Sequence, residues 1–80
     1  MSGAMRELEL KLLEVVVLQH LRRSLACMDA KSVRIQQTAD GKWEIEKFDA
    51  GKSLPSDCDR VLKIIVPELQ NRFSLKPGRS

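Results

Sequence analysis

The feature that most constrains this chain is a hairpin signature near its middle. Ser32-Val33-Arg34-Ile35-Gln36-Gln37 alternates polar and apolar residues, as does Lys42-Trp43-Glu44-Ile45-Glu46, with Thr38-Ala39-Asp40-Gly41 between them. Alternation of period two marks half-buried strands, and Asp-Gly tolerates the positive φ that a tight antiparallel turn demands. Val33, Ile35, Trp43 and Ile45 are therefore expected on one face, with Arg34, Gln36, Glu44 and Glu46 toward water. Phe48 is out of phase with Trp43 and Ile45, so either the strand stops before it or a bulge turns it inward. Two strands alone are rarely stable in water, so this hairpin needs helices or a partner against its apolar face.

Helical spacing flanks the hairpin on both sides. Leu10, Leu13, Val17, Leu21 and Leu25 recur at three- and four-residue steps, which predicts a long first helix from about Met5 to Met28. Met5, Leu8, Leu12, Val15 and Val16 form a second stripe on its opposite side, which ends where Gln19, Arg22 and Arg23 take over. After the hairpin, 49–55 reads as a loop and Ser56 as an N-cap, with Asp57 and Asp59 complementing the helix dipole. Cys58, Val61, Leu62, Ile65, Leu69 and Phe73 then form one stripe that stays in phase across Pro67. Proline cannot donate to the carbonyl four residues back and disfavours helix at the preceding residue, so the second helix is expected to kink or break there. The expected architecture is α+β in the order α-β-β-α.

Length and charge set the remaining bounds. A chain of 80 residues makes a single domain with a small core, here expected over residues 5–75. Residues 1–4 are expected to be an appended or disordered start, because a second methionine follows at Met5, and 76–80 a disordered basic tail. The net charge is +3, but Arg72, Lys76 and Arg79 supply three of the fourteen cations in a stretch without acids. The remaining eleven cations face eleven acids, so the body is neutral. No membrane span is expected, since the run Val15–Leu18 falls far short of the about 20 apolar residues required. With no secretory pattern and only two cysteines, Cys27 and Cys58 are expected to be free thiols in a cytoplasmic protein.

Groups able to do chemistry are few. His20 and Cys27 lie seven residues apart on one predicted helix, about 10.5 Å along its axis, too far for a nucleophile–base pair. Cys58 starts an apolar stripe between Asp57 and Asp59, whose charges oppose a thiolate, so a buried inert sulfur is expected. Glu44 and Glu46 read as solvated strand charges, Gly51-Lys52-Ser53 lacks the rest of a phosphate loop, and three scattered His and Cys residues make no zinc box. No enzymatic activity, cofactor or metal is expected.

The surplus apolar face of helix one is the feature that calls for a function. An exposed apolar patch of several hundred Å² usually marks an interface. The expectation is a protein-interaction or adaptor domain, a homodimer or a binder of another protein, using Met5, Leu8, Leu12, Val15 and Val16, with Ile64 an orphan on the second helix. No membrane partner is expected. The alternative is a small nucleic-acid-binding regulator using Arg22, Arg23, Arg34, Lys42, Lys47 and the basic tail.

Overall fold

Strands and helices alternate along the chain more often than the apolar pattern predicts. The computed structural model describes residues 6–39 and 41–76. In chain order these form β1 (Arg6–Leu8), α1 (Leu10–Arg22), a single 3-10 turn (Leu25–Cys27), β2 (Ser32–Ala39), β3 (Lys42–Asp49), α2 (Pro55–Arg72) and β4 (Phe73–Leu75). The class is mixed α+β, with two short strands added outside the expected α-β-β-α order. β2 and β3 form the antiparallel hairpin, while β1 and β4 pair in parallel, Leu8 opposite Leu75. The Leu75 N–H donates to the Gly41 carbonyl at 3.0 Å and so links the two ladders.

The hairpin runs longer than its clean alternation because two bulges reset its phase. Lys47 pairs with Arg34 and Ile45 with Ile35, which leaves Glu46 as the extra residue on β3. That insertion turns Phe48 inward, where it packs half-buried against the core. A second shift leaves Thr38 extra on β2, and Gly41 carries φ +74 at the turn. Glu14 supports the first irregularity from α1, its carboxylate accepting the Ile35 N–H at 2.9 Å. Arg34, Gln36, Glu44 and Glu46 are exposed, and Val33, Ile35 and Trp43 are buried.

The first helix is shorter than expected. It occupies Leu10–Arg22, and Met5 lies outside the described residues, as do residues 1–4. Glu7-Leu8-Glu9-Leu10 carries a period-two alternation superimposed on the helical one, and pairing with β4 decides for strand. Its side chain buried in the core, Leu8 is removed from the surface stripe to which the helical spacing assigns it. At the other end Ser24 turns extended, and the last carbonyls are met by i→i+3 bonds from Arg23 to His20 and from Ser24 to Leu21. Leu13, Val17 and Leu21 face the core as expected, whereas Leu10 and Leu25 are exposed.

The second helix is capped two residues before the expected position, Ser56. Leu54 is the N-cap and Pro55 sits in the first turn, where its fixed φ suits a helix start and its missing N–H costs nothing. The Asp57 and Cys58 N–H groups both donate to the Leu54 carbonyl. The helix continues through Pro67 to Arg72, where Phe73 leaves it for β4. Lys76, expected in the tail, donates its N–H to the Leu8 carbonyl at 2.8 Å, and 77–80 lie outside the described residues. Trp43 ties hairpin to helix end: its indole N–H donates to the Phe73 carbonyl at 3.1 Å, and its own carbonyl accepts the Gln70 side-chain amide.

The cysteines are not free. Cys27 and Cys58 form a disulfide, with Cα atoms 5.3 Å apart and a sequence separation of 31. The turn at Leu25–Cys27, made possible by the early end of α1, brings Cys27 against the first turn of α2. Both residues are fully buried. The expectation of free thiols rested on compartment and composition, and tertiary proximity overturns it. Among the described residues no helix is long and apolar enough to cross a membrane.

Candidate functional site

Among the described residues, the polar side chains singled out in the sequence make local contacts. His20 is half-buried, and its Nδ1–H donates to the Val16 carbonyl at 2.9 Å, an ordinary i→i−4 contact within α1. The Glu44 carboxylate accepts from the Gln36 amide at 3.0 Å across the hairpin. Lys63–Asp59 at 3.2 Å and Arg72–Glu68 at 3.9 Å are exposed pairs one turn apart on α2, of a kind worth only a few tenths of a kcal/mol, about 0.3–0.5. Among the described residues no group of three or more His, Cys, Asp or Glu side chains is placed to hold a metal ion.

Among the described residues, the basic side chains do not gather into one positive stripe. Arg34 and Lys47 face each other across the hairpin, but Lys42, Glu44, Glu46 and Asp49 share the exposed positions of β3, so the signs interleave. Arg22 and Arg23 are exposed at the far end of α1, and the Arg22 Nε–H donates to the Met28 carbonyl at 3.3 Å. Trp43, the aromatic that stacking on a base would need, is buried.

No family model matches the chain, and no curated protein or solved structure proves similar to it. Function must therefore be read from the surface itself.

Among the described residues, exposed large apolar side chains lie on α1, on α2 and near the disulfide. The first region is the outer side of α1, where Leu12 is 50% and Val15 48% exposed, with Val16 half-buried at the flank. This is what survives of the predicted face once Leu8 enters the core and Met5 lies outside the described residues. Ile64, the other candidate, is exposed on α2. The last region surrounds the disulfide and is absent from the sequence-based candidates. Leu25 is 85%, Met28 51% and Leu54 63% exposed, all within four positions of Cys27 or Cys58. Helical spacing assigns Leu25 to the core and a loop reading passes over Leu54. The sequence signal that could have found them is their unusual company, large aliphatic residues beside Arg22, Arg23 and Lys52.

Proposed function

We propose that this chain is a small non-enzymatic interaction domain that pairs with a second copy of itself through the outer side of α1. The observation that carries this reading is the contrast within one helix. Leu13, Val17 and Leu21 are fully buried, yet Leu12 and Val15 stand half in water. Removing such side chains from water is favourable by about 25 cal/mol per Å². A stable interface buries about 800 Å² per partner, more than these side chains supply alone, so the pairing is expected to be weak and concentration-dependent. The engaged His20 ring and the tied cysteines support the non-enzymatic part of the reading.

Light scattering across a concentration series tests it. The wild-type chain should move from monomer to dimer, and the double variant Leu12→Glu/Val15→Glu should stay monomeric with an unchanged circular dichroism spectrum. A wild-type chain that remains monomeric at the highest concentration, or a double variant that still dimerises, refutes the reading. The nucleic-acid alternative lacks comparable support, because acids interleave with the hairpin cations and Trp43 is buried. A buried disulfide supports maturation in an oxidising compartment, in place of the cytoplasmic one expected from free thiols.

A further inference from the structure

Two like charges meet near the open end of the hairpin. Arg34 on β2 is the register partner of Lys47 on β3, beside the bulge at Glu46. Side chains directly opposite in an antiparallel pair have Cβ atoms about 4.5–5.5 Å apart, and two cations so placed repel each other. Both residues are exposed, and the ion pairs found among the described residues, Lys63–Asp59 and Arg72–Glu68, involve neither of them. The ladder is built from backbone bonds, so the hairpin itself does not call for this pair.

Both cations line one cavity of about 620 Å³, whose wall also holds Ser32, Phe48, Asp49 and Ser53. Sites for small molecules measure about 300–1,000 Å³. The Ser53 hydroxyl oxygen accepts the Asp29 N–H at 3.2 Å, which leaves its own proton free to be donated to a ligand. Pro55, the first residue of α2, borders the cavity too, so the positive end of a helix dipole lies at its wall. Phe48 is half-buried and contributes an aromatic ring. The acid in the lining is Asp49, whose carboxylate is engaged by the Gly51 N–H at 2.9 Å. Glu46 borders a neighbouring cleft beside α2, which Lys47 and Phe48 also border. Behind Gly51 stand the Asp29 carbonyl and the Lys31 side chain, two residues of opposite charge. Two cations thus face one tethered acid within the cavity.

We propose that this cavity binds a small phosphomonoester, its phosphoryl oxygens held between Arg34 and Lys47 with the Ser53 hydroxyl, and its organic part against Phe48. A guanidinium grips phosphate through two parallel hydrogen bonds, and an ammonium adds a point charge. An ester carries a charge of about −1.5 to −2 near neutral pH, so placed between the two cations it turns their repulsion into attraction. A free phosphate ion would leave most of the cavity unfilled and the Phe48 ring unused. A long polyanion fits less well, because Glu44 and Glu46 are exposed on the same strand. This goes beyond the pairing through α1, uses different residues, and stands or falls separately from it.

Amide chemical shifts of the full, disulfide-intact chain, followed during titration with phenyl phosphate and separately with inorganic phosphate, test the proposal. At about pH 7.5 both probes are mostly dianions. Phenyl phosphate should shift the Arg34, Lys47 and Ser53 amides along saturable curves, and bind more tightly than inorganic phosphate. Arg34→Gln and Lys47→Gln should each weaken it about tenfold. Lys42→Gln makes the same charge change at the other end of β3 and should leave the affinity as it is. Asp49→Asn keeps an acceptor for the Gly51 N–H and should tighten binding. Lys47→Gln should not lower the thermal midpoint of the free domain, since it relieves a repulsion. Absence of saturable shifts up to about 20 mM phenyl phosphate overturns the proposal. So does equal affinity for inorganic phosphate, which would leave a general anion contact, or equal weakening by Lys42→Gln, which would assign binding to net charge. A lowered midpoint in Lys47→Gln would make the pair a structural contact and equally overturn it. The Leu12→Glu/Val15→Glu variant should bind phenyl phosphate as the wild type does, even if it no longer dimerises.

Discussion

Removing the disulfide should cost this domain a large share of its stability. Cys27 and Cys58 are 31 positions apart, and closing a loop of that length in the unfolded chain is worth about 3.5–4 kcal/mol in the chain-entropy account. A chain of 80 residues has about 4–12 kcal/mol in all. Reduction or the double variant Cys27→Ala/Cys58→Ala should therefore lower the thermal midpoint by about 15–30 °C. Urea melts followed by circular dichroism give the same quantity as a fall in midpoint. The slope of the transition should steepen slightly, because an uncrosslinked unfolded chain exposes more surface. Because both residues are fully buried, the bond should resist mild reductant in the native state and yield as urea opens the fold. An intact mass two hydrogens heavier than the crosslinked chain after aerobic purification would refute the reasoning. So would a double variant as stable as the wild type.

Other consequences can be checked by the same melts. Gly51→Ala should destabilise by about 2–4 kcal/mol, because φ is +63 and the new methyl meets the Asp29 carbonyl. Gly41→Ala, at φ +74 but with its nearest neighbour, Ser74 Cβ, 3.7 Å away, should cost only about 1 kcal/mol. Glu14→Ala strips the acceptor from the Ile35 N–H and should cost about 1–2 kcal/mol, with faster hydrogen exchange at that amide. Pro67→Ala should go the other way: Pro67 is exposed inside α2, and restoring an N–H to the helix should stabilise by about 1–3 kcal/mol. Equal losses at the two glycines, or a destabilised Pro67→Ala, would show that the local geometry is not what sets these costs.

Local chemistry by itself determined the hairpin, the α+β class and the core stripe of each helix. Val33, Ile35, Trp43 and Ile45 took the inner face because strand side chains alternate, and Leu13, Val17 and Leu21 because helical ones recur every three or four residues. Those periods are properties of the backbone, so they are written wherever an element is long. They fail at its ends. Leu8 and Phe73 fit a helical stripe as well as a strand, and only the pairing of β1 with β4, some 67 residues apart, decided between them. The same holds for the sulfurs: no spacing predicts that Cys27 meets Cys58, because their approach depends on where α1 stops and where the 3-10 turn points. Exposure followed from those decisions. With Leu8 drawn into the sheet and Leu25 turned out of the helix, the apolar surface moved from the start of α1 toward the disulfide. Periodicity assigns a face to each element, but contacts between distant segments decide which faces remain open to a partner.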